Sequence, residues 1–292
     1  MEHCLVTGSS GFLGSQLCRH LTSLGLNVTG MDVHPAKEAV SGAFDFVSGN
    51  LVTGEGLDLL AWERFDAVFH LAAAGVKAAT REWQNCIQVN LLGTLHLIER
   101  LEQAARRPTL VYTHTYYEDF IATSPSLAAS PYVMSKYAAT QVVRQFARNY
   151  PGCTVLAKVF QIYGAGDAQG NLIPYVLGCL RKGEPARLGS GAGLRDWLTV
   201  EDVAAGLTAC WRAGSPGKLR EFDLGSGEFV AIRDVLQRLA SMLGKPFAGL
   251  DFDAARDRDD LMAAGKAERW PDHWRPQYDL EQGLRRLIAS ED

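Results

Sequence analysis

A tyrosine and a lysine four positions apart, Tyr132 and Lys136, are the residues of this sequence best suited to moving a proton. In a helix, this spacing puts both side chains on one face. An ammonium near a phenol favours the phenolate and lowers the phenol pKa from about 10 toward neutrality, so such a tyrosine can act as an acid or a base. The alternative is a surface pair with no chemical role, because the spacing alone is common.

A hydroxyl residue precedes this pair, at the end of a predicted strand. Thr115 follows the apolar run 110–113, whose end should lie at the carboxyl edge of a parallel sheet, where ligands bind. We therefore expect the Thr115 hydroxyl to bond the same substrate oxygen as Tyr132. The neighbouring His114 is either a further substrate contact or a histidine bonded to the main chain at the strand end.

A glycine-rich turn lies near the start of the chain. The segment TGSSGFLG at 7–14 follows the first apolar run and opens an amphipathic stretch. Glycine lets the main chain turn tightly and approach a diphosphate, and the helix N-terminus then offers its free N–H groups to the phosphates. The same spacing occurs in turns that bind nothing, so the second signal matters: Asp32 ends the next strand, about 20 residues on, where a carboxylate bonds ribose hydroxyls.

The carboxylate of Asp32 also bears on the choice of dinucleotide. A negative charge there repels a 2′-phosphate and favours NAD, whereas the nearby Lys37 is the reason to keep NADP as the less favoured alternative.

The elements that must position these residues alternate between short apolar runs and amphipathic stretches. Strands are predicted near 4–7, 27–31, 44–47, 67–71, 110–113 and 155–160, and helices near 12–24, 83–105 and 132–149. This pattern predicts an α/β fold, a Rossmann-type doubly wound parallel sheet. From residue 164 onward Gly and Pro become frequent and the elements shorten. We predict a dinucleotide-binding domain over 1–163 with a returning segment near 195–214, and a smaller mixed α/β substrate lobe in the remainder of 164–292.

Composition excludes several classes of function. The chain has 292 residues, of which 47% are hydrophobic and 21% charged, as in ordinary folded proteins. A formal net charge of −4 gives no positive field for nucleic acid. The six cysteines are dispersed without a C-x-x-C pair and are predicted to be reduced core residues. The seven histidines show no metal-binding spacing, so no metal is expected. With no signal peptide and no apolar span, we expect a cytoplasmic protein that does not bind membranes.

The glycine turn, Asp32, Thr115 and the Tyr132/Lys136 pair follow one another in a characteristic order. In this order the chain resembles, over nearly its whole length, the extended short-chain dehydrogenases/reductases of the NAD-dependent epimerase/dehydratase family. The other matching blocks are Asn50-Leu51, His70-Leu71-Ala72-Ala73, Asn90 with Gly93-Thr94, Tyr163-Gly164, RDWLTVEDVA at 195–204 and DLGSG at 223–227. The resemblance implies NAD as cofactor, a nucleotide-diphosphate sugar as substrate and a homodimer formed through about 83–105 and 132–149.

The resemblance also assigns roles to individual residues. The catalytic set is Thr115, Tyr132 and Lys136. Cofactor binding is assigned to Gly8, Ser10, Gly11, Phe12, Leu13, Gly14, Asp32, Asn50, Leu51, Leu71, Ala72, Ala73, Asn90, Tyr132 and Lys136. Substrate binding is assigned to Thr115, Gln161, Asn171 and Arg195, with Arg195 as a bidentate donor to the diphosphate. The alternative for Arg195 is a structural ion pair with Asp196 or Asp202.

Two departures from the family pattern narrow the reaction. Sugar-nucleotide 4,6-dehydratases carry an acidic residue or pair directly after the catalytic Thr or Ser, whereas this chain has Tyr116-Tyr117, and Glu118 comes too late unless the loop is rearranged. Gln161 stands where the family has a substrate-binding Asn. We therefore expect an epimerase that works through a transient keto-sugar. The alternatives are a nucleotide-sugar 4-ketoreductase using NADH or NADPH, and a cofactor-binding protein that has lost catalysis.

Overall fold

A seven-stranded parallel sheet forms the centre of the computed structural model, which describes residues 1–35, 44–76, 81–257 and 264–290. Lys37 lies outside the described residues. The strands are β1 (His3–Thr7), β2 (Asn27–Asp32), β3 (Asp45–Ser48), β4 (Ala67–His70), β5 (Thr109–Thr115), β6 (Thr154–Val159) and β11 (Leu219–Leu224). Their order across the sheet is β11-β6-β5-β4-β1-β2-β3, and every neighbouring pair is parallel.

Helices cover both faces of this sheet. They are α1 (Phe12–Ser23), α2 (Trp83–Cys86), α3 (Gly93–Gln103), α5 (Pro131–Ala147) and α7 (Val200–Arg212), with a short α4 (Pro125–Ala128) before α5. Leu17 of α1 and Leu207 of α7 share one hydrophobic core with the sheet, whereas Leu97 of α3 and Val143 of α5 belong to the other. A parallel sheet buried on both faces is the doubly wound arrangement, so the predicted fold class is confirmed.

The rest of the chain builds a smaller unit from short strand pairs and helices. Its elements are β7 (Gln161–Tyr163), α6 (Leu172–Lys182), β8 (Ala186–Leu188), β9 (Leu194–Arg195), β10 (Trp197–Thr199), β12 (Val230–Ala231), α8 (Ile232–Met242), β13 (Leu250–Phe252) and α9 (Leu280–Ser290). The strands pair as β10-β7, β12-β9 and β13-β8, and α6, α8 and α9 share a third core.

The structure refines the element boundaries at three points. The predicted helix 83–105 is two α-helical pieces joined by a π-helical turn, Ile87–Leu92. Strand β11 lies in the main sheet although it falls outside the predicted returning segment 195–214; the domain division itself stays a prediction. Five of the six cysteines are buried, and the sixth, Cys179, is half-buried. Within the described ranges, none of the helices combines the length and apolar character needed to cross a membrane.

Candidate active site

The glycine turn brings main chain against main chain at the carboxyl edge of the sheet. Gly8 has φ +73°, and its N–H donates to the Met31 carbonyl at 2.9 Å. A Cβ on Gly8 would lie 2.7 Å from the Ala72 nitrogen, and one on Gly14 would overlap the Gly8 carbonyl. The turn therefore needs glycine at both positions, and it lies directly against the segment that follows β4.

The carboxylate of Asp32 is held at this turn. It accepts the Ser10 N–H and the His34 N–H, each at 3.0 Å and each on a different oxygen. A carboxylate oxygen accepts more than one hydrogen bond, so both oxygens keep acceptor capacity for the two hydroxyls of a ribose. The residues present thus fit the adenosine end of a dinucleotide, with Gly11, Phe12 and Leu13 at the start of α1 to meet the phosphates.

Two further segments assigned to the cofactor follow the neighbouring strands. Leu51 follows β3, and its carbonyl accepts the Nδ1–H of His96 at 2.7 Å. A Cβ added to Gly93 would lie 3.1 Å from the Leu51 Cβ, so α3 packs closely on this segment. Next to it, Asn50 accepts the Val52 N–H. Leu71, after β4, donates its N–H to the Thr7 carbonyl at 3.2 Å and leads into Ala72 and Ala73.

Asn90 in the π-helical turn ties the segment after β4 to the helix that carries Tyr132. Its side-chain amide exchanges two hydrogen bonds with the main chain of Ala74, at 2.8 and 3.0 Å. Its Nδ2 also donates to the Ser135 hydroxyl at 2.8 Å, and Ser135 in turn donates to the Tyr132 carbonyl at 2.9 Å. Widened turns of this kind are frequent at functional sites, and here the turn aims Asn90 inward.

His70, buried at the end of β4, joins the same network. Its Nε2 lies 2.9 Å from the Thr94 hydroxyl, and that hydroxyl donates its proton to the Asn90 carbonyl at 2.6 Å. Nε2 must therefore be the donor to Thr94. Its Nδ1 then accepts from the Thr7 hydroxyl at 2.7 Å. Burial, with a smaller contribution from Lys136, lowers the pKa of His70 to about 3, which keeps the ring neutral. The ring therefore serves to hold β1, β4 and α3 together.

Tyr132 and Lys136 lie in the first turns of α5, which begins after the Ser130 side-chain cap. Tyr132 packs against Gly75, where a Cβ would lie 3.1 Å from the Tyr132 Cβ. Because Gly75 follows the segment that touches Gly8, the tyrosine and the glycine turn meet at the same sheet edge. Lys136 is buried, donates its Nζ to the Thr113 carbonyl at 2.7 Å, and lies 4.2 Å from the centre of the Tyr112 ring.

The charges at this pair differ from the sequence expectation. Burial raises the pKa of Tyr132 above its ordinary value, the Glu118 carboxylate raises it further, and the main opposing charge is the guanidinium of Arg81 rather than Lys136. Burial lowers the pKa of Lys136 to about 8, and Glu118 opposes this. The physical reason is desolvation, which disfavours both the phenolate and the ammonium in the chain taken by itself.

Thr115 caps a short 3₁₀ helix, Tyr116–Phe120, at the end of β5. Its hydroxyl oxygen accepts the Tyr117 N–H at 3.4 Å, so its own proton remains available to a substrate oxygen. Glu118 turns back and accepts the Thr115 N–H at 3.3 Å. In the sequence, Glu118 comes too late to take the place of the acidic residue of dehydratases. However, Thr115-Tyr116-Tyr117-Glu118 has the T-x-x-E spacing of a capping box, which predicts the contact with Thr115.

The residues assigned to the substrate lie on the second unit. Gln161 pairs in register with Trp197, and its N–H donates to the Asp196 carbonyl, so Gln161 and Arg195 are neighbours. Arg195 is buried and donates one Nη to the Leu194 carbonyl at 2.8 Å. Asn171 precedes α6 and donates to Asp167 at 2.6 Å. Nearby, the Tyr175 hydroxyl accepts the Arg187 N–H at 3.1 Å, which joins α6 to β8.

Comparison with known proteins identifies the family of this chain. The model of the NAD dependent epimerase/dehydratase family matches residues 4–225, and the chain belongs to that family. The predicted family, the prediction of an enzyme and the prediction of NAD as cofactor are thereby confirmed.

Individual relatives are similar along almost their whole length. The chain is 28% identical to a UDP-glucose 4-epimerase of Mycolicibacterium smegmatis, over 97% of this chain and 96% of that protein. It is 27% identical to a dTDP-glucose 4,6-dehydratase of Xanthomonas campestris, over 99% and 92%. Among solved structures, a dTDP-glucose 4,6-dehydratase from Bacillus anthracis in complex with NAD superposes with a TM-score of 0.84 at 22% identity, over 99% of this chain and 96% of that one. This last likeness shows the fold.

Proposed function

We propose that the protein is an NAD-dependent nucleotide-diphosphate-sugar epimerase, which oxidises a sugar carbinol to a transient ketone and reduces it from the other face. Relatives that share nearly the full length of the chain act, by their names, on UDP-glucose and dTDP-glucose, which supports a nucleotide-sugar substrate. They include both epimerases and 4,6-dehydratases, so the choice between these reactions depends on residues of this chain.

One observation supports epimerisation over dehydration. The two positions after Thr115, where dehydratases carry their acidic residues, are filled by stacked aromatic rings. The Tyr116 ring lies 4.3 Å from Tyr117 and 5.1 Å from Phe160, centre to centre, and Tyr116 is buried. Elimination of water from a sugar needs a general acid and a general base beside the leaving hydroxyl, and positions 116 and 117 hold no carboxyl group for these roles.

Three side chains carry the proton chemistry in this proposal. The Tyr132 phenol oxygen takes the proton of the sugar hydroxyl during oxidation and returns it during reduction. The Thr115 hydroxyl donates to the same sugar oxygen and holds it in line. Lys136 holds a ribose hydroxyl and contributes positive charge on the same helix face. When bound, NAD accepts and returns the hydride and brings a cationic ring that favours the phenolate.

Purified protein with its bound nucleotide tests the proposal. Mass spectrometry of the released nucleotide should identify NAD, because a cofactor that is regenerated in each turnover has no need to leave. A panel of UDP-, dTDP- and CDP-hexoses followed by NMR should then show inversion at one carbon, with no net change in absorbance at the NADH band. Stoichiometric loss of added NADH or NADPH with a 4-keto sugar would instead identify a 4-ketoreductase.

A further inference from the structure

Glu118 is a buried carboxylate next to the reaction centre, and no step above uses it. It occupies the third position of the 3₁₀ helix that Thr115 caps, and the two residues form a reciprocal capping box. One carboxylate oxygen accepts the Thr115 N–H at 3.3 Å, and the other lies 3.4 Å from the His114 Nδ1, an ion-pair distance. The side chains of His114 and Glu118 are only 4% and 5% exposed.

Burial of a carboxylate costs free energy that its partners must offset. A capping bond alone does not require burial, since most capping residues lie at the surface. His114 of β5 lies at ion-pair distance from Glu118, and α5, which carries the buried Lys136, packs against the 3₁₀ helix of Glu118. The charge of Glu118 raises the pKa of Tyr112, Tyr132 and Lys136. The carboxylate therefore stands in a small polar cluster built around the proposed catalytic residues.

We propose that Glu118, held against His114, is a positioning residue of the reaction centre: its carboxylate fixes the main chain that presents the Thr115 hydroxyl and serves as the buried counter-charge of Lys136. The proposal rests on the proposed function for the roles of Thr115 and Lys136. It gives a role to the Glu118 carboxylate in the 3₁₀ helix 116–120, whose first two positions are aromatic.

If Glu118 is a counter-charge, its removal should shift the pKa of neighbouring groups in a definite direction, whereas a purely structural role predicts no such shift. Glu118 raises the pKa of Lys136 against the effect of burial, and it also raises the pKa of Tyr132. Removal of the charge should therefore lower the pKa of both groups. Arg81, the other charge acting on Tyr132, stays in place in such a variant.

The variant Glu118→Gln separates charge from geometry, because a glutamine oxygen can still accept the Thr115 N–H. Its matched control is Asp119→Asn, which makes the same change on the next residue, where the side chain is half exposed and bonds Lys158. The readout is the ¹³Cε resonance of Lys136 in protein with ¹³C-labelled lysine, titrated without added nucleotide and assigned by its loss in Lys136→Met. In wild type the midpoint should lie near pH 8. It should move to lower pH in Glu118→Gln and stay in place in Asp119→Asn.

A titration midpoint that is the same in wild type and Glu118→Gln overturns the counter-charge role, whether or not any nucleotide sugar is turned over. The positioning role is tested by Glu118→Ala, which removes the capping bond as well. With the sugar that wild type epimerises, kcat should fall roughly 10²-fold with little change in KM, as expected for a misplaced catalytic hydroxyl. Folded Glu118→Ala with wild-type kcat overturns that role, and if this variant does not fold, Glu118→Asp, which is one methylene too short for the bond, replaces it. Failure of every sugar in wild type would count against the proposed function alone.

Discussion

At the scale of single residues, the two side chains proposed for proton transfer lie in a medium that opposes their ionisation. Burial raises the pKa of Tyr132 and lowers that of Lys136. A phenol with a raised pKa is a poor base by itself, so the positive ring of bound NAD is what must favour the phenolate. In the proposed reaction, proton transfer would thereby be coupled to occupancy of the cofactor site.

Replacement of Tyr132 by phenylalanine should remove the proton acceptor and little else. We expect Tyr132→Phe to lower kcat by roughly 10²–10⁴-fold while NAD binds with near wild-type affinity, because the glycine turn and Asp32 are untouched. The measurements are steady-state turnover and calorimetric titration with NAD. The control is Tyr137→Phe on the same helix, where the ring is exposed and turnover should not change. Wild-type turnover in Tyr132→Phe would contradict the role of Tyr132 as the proton acceptor.

Residue types and spacing predicted which side chains lie at this sheet edge, but not the charges and the burial that set their pKa values. The Gly8, Asp32, Thr115 and Tyr132 signals are local, because each depends on a turn, a strand end or a helix face. Arg81 and Glu118 act on Tyr132 across the fold, and no spacing along the chain indicates that. The desolvation that dominates their pKa values depends on burial, which arises only when the whole site is assembled.

At the scale of elements, the turn between β1 and α1 works through close contact of main chains. Gly8→Ala adds a methyl group 2.7 Å from the Ala72 nitrogen and puts alanine at φ +73°. We expect a loss of about 2–4 kcal/mol in the free energy of unfolding, from conformation and overlap together, and a clear loss of NAD affinity. Urea denaturation and calorimetry measure these two quantities.

Gly25→Ala is the matched control for that substitution. Gly25 has φ +76° but nothing within 4 Å of its added Cβ, so only the conformational cost of about 1–2 kcal/mol remains. NAD affinity should be that of wild type. If Gly8→Ala bound NAD as tightly as Gly25→Ala does, the turn would not be the phosphate site.

The hydrogen-bonded His70 makes the junction of β1, β4 and α3 sensitive to acid. Between pH 6.5 and about 3 the unfolded chain binds a proton on this residue that the folded chain excludes, so the free energy of unfolding falls as the pH falls. At pH 5 the loss from this group is about 2 kcal/mol relative to pH 7. We expect the decrease between pH 7 and pH 5, measured by urea denaturation, to be smaller by that amount in His70→Gln. Equal decreases in the two proteins would contradict the buried neutral ring.

The elements of the first half followed from periodicity because each strand is apolar and each helix is amphipathic. The π-helical turn did not, since the residues of 87–92 also fit an α-helix and the widening depends on Asn90 reaching Ala74 and Ser135. Strand β11 was missed for a similar reason. It is polar at its start and stands at the sheet edge, where only pairing with β6 defines it.

At the scale of the whole molecule, three buried aspartates fasten the end of the chain to the rest. Their carboxylates accept main-chain N–H groups of residues 267–278: Asp196 from Ala267, Asp223 from Glu268 and Arg269, and Asp202 from Gln277 and Tyr278. One of them, Asp196, directly follows Arg195 in the chain. The same contacts that close the fold therefore hold the proposed diphosphate site in place.

The faces of α2, the π-helical turn and α5 carry exposed apolar side chains that a single chain leaves in water. Trp83, Leu92 and Tyr137 are 52%, 41% and 38% exposed, on elements that pack against one another. Large apolar side chains exposed on neighbouring elements favour an interaction site. Because the resemblance implies a pair of such helices from each chain, we expect a homodimer through this face.

Light scattering after size exclusion should give twice the mass of one chain for wild type. A charge at the centre of the face, Leu92→Asp, should give monomers, since a buried unpaired carboxylate costs more than one apolar contact contributes. The matched control is Leu194→Asp: Leu194 is as exposed as Leu92, at 41%, but lies in β9 of the smaller unit, so that variant should remain dimeric. A wild-type mass of one chain, or a dimer that survives Leu92→Asp, would mean that these exposed side chains serve some other contact.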